Sequence, residues 1–243
     1  MNQKTKTFFI GGLGSNCYHA KDFIDELDEI VLFLNLYIEN LQNEEDLLNW
    51  FKNEIKDLEE VYLIGHSLGG DLGRYLASQF SQVTKLVLLD GGYLNLDEIM
   101  TLDDELTDTK DYFRQQVFTD IEEVIASEKS QSSYWSKNLE EAVRNSYRYN
   151  SKTKEFELNL DLDKIINLLR LRRSIKPFEI NLDSTDVLFI APVYQEEPKW
   201  RKEALSQLPS NFDITMLENS GHELYTQKPR EIAKLINDWI NKK

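Results

Sequence analysis

Cysteine occurs once in the 243 residues, at Cys17. A lone thiol excludes an intramolecular disulfide framework and any all-cysteine metal site, and fits a reducing compartment. Histidine is nearly as scarce, with only His19, His66 and His222 available for acid–base work. Long apolar runs are missing as well, since no window approaches the roughly 20 residues of a membrane span. The early stretch Phe8 to Ile10 runs into Gly11 and Gly12, too short for a signal segment. The expectation is a cytoplasmic protein without a membrane span. Positive charge is in deficit, with 28 basic residues against 43 acidic ones and a formal charge of −15. Such a field repels nucleic-acid phosphates and leaves little room for a broad basic patch. Nucleic-acid partners are therefore not expected, and a small neutral or apolar molecule is. Glycine and proline gather into no linker or low-complexity tract, and no internal repeat stands out.

What is present is an apolar fraction of 41 per cent with 11 per cent aromatics, enough for one sizeable core. Short β-rich apolar runs alternate with longer amphipathic stretches, the pattern of a parallel sheet with crossover helices. Strands are predicted at Thr7 to Ile10, Ile30 to Leu34, Val61 to Ile64, Lys85 to Leu89, Val187 to Ala191 and Asp213 to Leu217. Between them, Leu47, Leu48, Phe51, Ile55 and Leu58 share a helical face, as do Leu72, Tyr75, Leu76 and Phe80. Ile232, Leu235, Ile236, Trp239 and Ile240 form a third face behind the helix-starting Pro229. Residues 92–180 interrupt the alternation and read as an insert, with the core on 1–91 and 181–243. Within it, helical patterns cover Ile121 to Ala126, Leu139 to Tyr147 and Leu162 to Leu171. A period-two run, Phe156, Leu158, Leu160 and Leu162, suggests a short extended segment.

The chemistry centres on Gly65-His66-Ser67-Leu68-Gly69-Gly70, directly after a predicted strand and before a predicted helix. G-x-S-x-G in that context is a nucleophile elbow. A strand turning abruptly into a helix strains its middle residue, and side chains at the flanking glycines would collide with neighbouring elements. Ser67 is thereby the candidate nucleophile. The N–H of Leu68, at the positive end of the helix dipole, is a candidate oxyanion donor. The base is expected to be His222, in Ser220-Gly221-His222-Glu223 after the last predicted strand, which brings it to the carboxyl edge of the sheet. His66 is expected to pack the elbow, and His19, on the first predicted helix, to be partly buried or at the edge of a pocket. Two acids compete for the third place: Asp90, ending a strand in Leu89-Asp90-Gly91-Gly92, and Glu196, in Gln195-Glu196-Glu197-Pro198. Each has an ordinary alternative as a turn cap or a first-turn helix acid, and Glu197 stands behind both. The loop Gly11-Gly12-Leu13-Gly14-Ser15 is expected to supply the second oxyanion donor, the N–H of Leu13. A phosphate-binding reading of this loop lacks the G-x-G-x-x-G spacing.

On these residues the chain resembles the α/β-hydrolase superfamily over essentially its full length, and Leu88-Leu89-Asp90-Gly91-Gly92-Tyr93 looks like a variant in small bacterial members with a helical cap. The resemblance implies an α/β fold, a mostly parallel sheet flanked by helices with a mainly helical cap inserted at 92–180, and triad order Ser, acid, His. It places the acid after the next-to-last strand, as an Asp soon after a Gly. Ala191-Pro192-Val193-Tyr194-Gln195 supplies neither, and Asn35-Leu36-Tyr37-Ile38-Glu39 replaces the family's Asp-x-Pro-Gly turn. The expected activity is hydrolysis of a small carboxylic ester through an acyl-enzyme, with no metal or cofactor. A ligand-binding or signalling protein on the same frame is the rival from another class. An acyltransferase, thioesterase or C–C bond hydrolase would use the same triad. Phe113, Phe118, Tyr134, Trp135, Tyr147 and Tyr149 are candidates to line a pocket or to form the cap's own core. Cys17 is expected to pack at the start of the first helix, and Gly73 to permit close helix–sheet contact.

Overall fold

The computed structural model describes residues 5–242. The chain runs β1 (Thr5–Ile10), α1 (Cys17–Ile24), β2 (Val31–Leu34), α2 (Glu44–Ile55), β3 (Glu60–His66), α3 (Leu68–Gln79) and β4 (Val83–Leu89). After β4 come α4 (Leu102–Gln115), β5 (Val117–Phe118), α5 (Ile121–Gln131), α6 (Lys137–Ser146), β6 (Tyr147–Asn150), β7 (Glu155–Leu158) and α7 (Leu162–Ile175). The chain then closes with β8 (Asp186–Pro192), α8 (Lys199–Ser206), β9 (Asp213–Leu217), α9 (Leu224–Gln227) and α10 (Pro229–Ile240). Six parallel strands form one sheet in the order β2-β1-β3-β4-β8-β9. This is the parallel sheet with crossover helices that the sequence pattern leads one to expect.

The near-continuous apolar strands are explained by burial on both faces. Phe8, Leu63, Leu86 and Phe189 pack with Phe51 of α2 and Leu72 and Leu76 of α3. Their chain neighbours Phe9, Ile64, Val87 and Leu188 face the other way, onto Phe23 of α1, Tyr225 of α9 and Ile236 and Trp239 of α10. Consecutive residues thus serve opposite layers, as the strand period of two requires. Among the described residues no helix is long and apolar enough to cross a membrane.

Leu86 pairs with Val187 across β4 and β8, so everything between these strands leaves the sheet and returns. That excursion is more mixed than a helical insert. Its helices α4 and α7 share a small core of Leu106, Ile165, Ile166 and Leu169, and β5, β7 and β6 form an antiparallel sheet. The strand suggested by the Phe156 period exists, whereas the helical pattern drawn to Tyr147 stops at Ser146, where β6 begins. Helix α4 has no counterpart in the sequence reading. Its identifiable signal is Thr101, whose side chain caps Asp104 N ahead of three first-turn acids.

Candidate active site

Strand β3 and helix α3 meet at Ser67, which sits at φ 51° and ψ −120°, a left-handed conformation that an L-residue tolerates only when its surroundings impose it. Three glycines impose it. A Cβ at Gly65 would lie 2.4 Å from the carbonyl oxygen of Gly69, one at Gly69 would lie 2.1 Å from that of Ile10, and one at Gly91 would lie 2.4 Å from that of Ser67. Gly73 faces the sheet as expected, where a Cβ would make ordinary contact with Leu63 and Leu86 at 3.5 Å, but the backbone collisions fall at the three elbow glycines. Ser67 is thus held at the carboxyl end of the central strands, half-buried, with the Asp90–Gly91 turn pressed against its backbone.

His222 lies between β9 and α9, and its Nδ1 is 2.7 Å from Oδ2 of Asp90. Glu196 lies elsewhere: it is exposed in the loop after β8 and forms no hydrogen bond with His222. Asp90 ends β4 with φ 44°, and its N–H donates to the Ile190 carbonyl at 2.8 Å, tying the turn to β8. Its second oxygen, Oδ1, accepts from the Tyr93 hydroxyl at 3.0 Å and from Arg201 Nη2 at 3.2 Å. Arg201, only 2 % exposed, also donates to the Tyr93 oxygen at 2.9 Å and the Pro192 carbonyl at 2.9 Å, and pairs with Glu197. Glu197, the third candidate acid, therefore backs the cation behind Asp90 and does not meet His222.

These neighbours set the charge states. Burial works to raise the Asp90 pKa, but the hydrogen bond and charge of His222, with the charge of Arg201, outweigh it and hold the carboxyl below its ordinary value. Burial likewise works against charge on His222, and Asp90 overcomes it, so the imidazole is more basic than usual. His66 goes the opposite way, because complete burial lowers its pKa more than the Glu223 charge raises it. Its Nε2 stands 2.9 Å from the carbonyl oxygen of His222. A carbonyl only accepts, so Nε2 carries the hydrogen and Nδ1 is a bare lone pair. His66 thus anchors the backbone of His222, a more specific contact than elbow packing.

The loop after β1 is stapled by two tyrosines that the sequence reading did not single out for this purpose. The Tyr37 hydroxyl accepts from Gly14 N at 2.6 Å and donates to the Gly12 carbonyl at 3.1 Å. Burial keeps this phenol protonated. Ser15 Oγ lies 3.2 Å from the Tyr225 hydroxyl. Between these staples Leu13 is exposed, and neither its N–H nor that of Leu68 finds an acceptor among the described residues. His19 takes the N–H of Asn16 on Nδ1 at 3.1 Å and lines the neighbouring cavity. Cys17, expected to pack, is exposed at the first position of α1.

A cavity of about 640 Å³ opens between this loop and the β4–β8 excursion. Gly12, Leu13 and His66 form its floor, and Phe113, Trp135 and Tyr147 stand among its walls. The other aromatics serve differently: Phe118 packs edge-on against Tyr147 at 5.6 Å, and the exposed Tyr149 meets Phe156 at 5.2 Å. Asp71, in the first turn of α3, takes the Gly92 N–H at 2.7 Å. Burial pushes its pKa up to about 6 against the opposing pull of Arg172 on α7. His66, His222 and Glu223 each bring one possible ligand atom within 4.8 Å of the others. That donor set suits a borderline cation, but two of its imidazole nitrogens are already taken by Asp90 and the His222 carbonyl.

A family model described as alpha/beta hydrolase fold matches residues 42–156, the stretch that holds the serine elbow and Asp90. Among solved structures, an E-2-(acetamidomethylene)succinate hydrolase superposes with a TM-score of 0.78 at 17% identity, covering 98% of this chain and 92% of its own. A thioesterase domain from the curacin biosynthetic pathway gives 0.70 at 15% identity, over 96% and 91%. MenH from S. aureus gives 0.66 at 16% identity, over 99% and 94%. No curated protein sequence matches at a significant level.

Proposed function

We propose that the chain is a serine hydrolase of the α/β-hydrolase superfamily, the family whose model matches residues 42–156, and that it cleaves a small carboxylic ester, with Ser67 as nucleophile, His222 as base and Asp90 as the orienting acid. One observation carries the reading: the 2.7 Å contact between His222 Nδ1 and Asp90 Oδ2, made beside a serine held in left-handed backbone conformation. That contact puts the Nδ1 hydrogen on the Asp90 side and leaves Nε2 as the free base. His222 Nε2 takes the hydroxyl proton as Ser67 Oγ attacks the acyl carbon. The tetrahedral oxyanion is met by the N–H groups of Leu68 and Leu13, both without another acceptor among the described residues. The imidazolium then gives its proton to the leaving alcohol. Water, deprotonated by the same nitrogen, releases the acid from the acyl-enzyme. The excursion between β4 and β8 acts as the cap over this site, and the cavity beneath it holds the substrate. A thioester passes through the same steps with a thiol leaving, and the likeness to a thioesterase domain supports including one in the assay.

The test is labelling with a fluorophosphonate probe alongside p-nitrophenyl ester and acyl-thioester turnover, in wild type, Ser67→Ala and His222→Ala. Repeated turnover with labelling lost in both variants is the expected result. A folded wild type that neither labels nor turns over would overturn the hydrolase reading and favour a ligand-binding role for the capped cavity.

A further inference from the structure

The polarity of the cavity wall narrows the substrate further, an inference that rests on the hydrolase reading for its catalytic half only. We infer that the cavity receives a molecule bearing a cationic nitrogen, an ammonium-bearing ester under the proposed activity, and rejects carboxylate-bearing ones. Asp108 on α4, Glu128 on α5 and Glu223 beside His222 all line the cavity, and among the described residues no lysine or arginine does. None of the three carboxylates has a hydrogen bond or ion pair among the described residues. Other acids of the same excursion are paired, Glu105 with Arg172 and Arg173, and Glu122 with Arg144.

A second observation comes from the floor. His66 is fully buried and neutral, and its Nδ1 has no partner among the described residues. A Cβ on Gly12 would lie 2.9 Å from this nitrogen and 3.2 Å from Ser67 Cβ, so the lone pair sits beside the serine on the cavity side. A neutral imidazole with a lone pair on this side brings no positive charge to the floor. The walls supply the third element, because Trp135, Tyr112 and Tyr147 present aromatic rings to the same space. Rings and carboxylates together attract a desolvated ammonium, the first through the quadrupole and the second through charge. The Glu128 charge already acts on Tyr112 and Tyr147, since after burial it is among the influences that raise both phenols. A carboxylate placed in the cavity would meet three like charges and, among the described residues, no lysine or arginine.

The experiment has a binding arm and a turnover arm. Calorimetry on Ser67→Ala compares hexyltrimethylammonium, hexylammonium and hexanoate, which tests the cavity without any chemistry. Both ammonium probes are expected to bind at least about tenfold more tightly than hexanoate, and Asp108→Asn with Glu128→Gln in that background is expected to reduce the gap to about threefold or less. Both positions are exposed, so the double variant keeps the fold. Hexanoate binding as well as hexylammonium overturns the inference, as does absence of binding by every probe to about 10 mM. A preference that survives the double variant overturns the assignment to these acids. In wild type, p-nitrophenyl 6-aminohexanoate is expected to surpass the hydrogen adipate ester in kcat/KM by at least about tenfold. Ammonium binding without cleavage of any ester would overturn the hydrolase reading and support this one, so the two failures are distinct.

Discussion

Replacing Asp90 by Asn separates the proposed acid from every competing carboxylate. The change keeps the side-chain volume beside Tyr93 and Arg201 and removes the negative charge 2.7 Å from His222 Nδ1. With the charge centres about 4 Å apart and an effective dielectric near 20, that charge holds the imidazolium by about 4 kcal/mol. The corresponding change in a serine protease triad lowers kcat by about 10⁴, equivalent to about 5.5 kcal/mol. His222 is 46 % exposed, so solvent takes up part of the interaction. The expected loss in kcat/KM is therefore about 10³-fold to 10⁴-fold. The pH profile gives an independent check. In the wild type Asp90 outweighs burial and raises the His222 pKa; in the variant burial acts with that opposition removed. The acid limb of kcat/KM should consequently move to lower pH as the plateau falls. Arg201 retains Glu197, Tyr93 and the Pro192 carbonyl, so the variant should fold, as circular dichroism and a thermal melt would show. Glu196→Gln, made in parallel, should leave both the plateau and the profile unchanged. An Asp90→Asn enzyme as active as wild type, or a Glu196→Gln enzyme that fails in its place, would refute the assignment.

Tyr37→Phe removes the hydroxyl that joins Gly14 N to the Gly12 carbonyl; kcat should fall about 10-fold to 100-fold with KM little changed, because the loop N–H acts on the transition state. Gly91→Ala places a Cβ 2.4 Å from the Ser67 oxygen and 2.8 Å from its nitrogen, so probe labelling should be lost and denaturant unfolding should show at least about 1–3 kcal/mol of destabilisation. Asp71 carries a pH signature. Its folded pKa of about 6 exceeds the ordinary 3.8, so between these values the native state binds more protons than the unfolded chain and stability declines as pH rises. The decline amounts to about 3 kcal/mol across the window, and an Asp71→Asn variant, whose amide oxygen still accepts from Gly92, should gain Tm relative to wild type between pH 4.5 and 7, by calorimetry.

How much of this was readable without coordinates follows from how each residue is specified. The sheet was legible because its strands are buried on both faces and write themselves as continuous apolar runs, and the elbow because its glycines answer to backbone collisions within one short segment. Helix α4 was not, since Leu106 is its only fully buried side chain and thirteen mainly polar neighbours hide its period. Strand β6, Tyr-Arg-Tyr-Asn, has no apolar alternation to betray it. Asp90 and Glu196 could not be ranked because both follow predicted strands, and which of the two meets His222 depends on loop paths that no local pattern encodes. Arg201 was invisible for a related reason: within Lys199-Trp200-Arg201-Lys202-Glu203 nothing local distinguishes a buried guanidinium from solvated neighbours. Tyr37 was noticed only as part of a departure from the family turn, and its reach to the glycine loop is a tertiary fact.

Placing the proposed acid at the end of β4 has consequences for the rest of the site. Strands β4 and β8 are hydrogen-bonded neighbours, so a carboxylate at either carboxyl end can approach a histidine presented after β9. The β4 position is the deeper one here, and the Asp90 side chain is 5 % exposed. A carboxylate that buried costs several kcal/mol unless it is paired and hydrogen-bonded. Arg201 supplies the pairing from α8, and Tyr93 and the Ile190 carbonyl fix the turn. Arg201 is itself buried and needs a second anion, which Glu197 provides from the loop where the resemblance would have placed the acid. The result is a line of alternating charge, Glu197, Arg201, Asp90 and finally His222 once it is protonated. In this line Arg201 helps keep Asp90 ionised, and the ionised Asp90 raises His222 against its burial. The arginine thereby supports the proposed triad through its acid, without touching the reacting atoms.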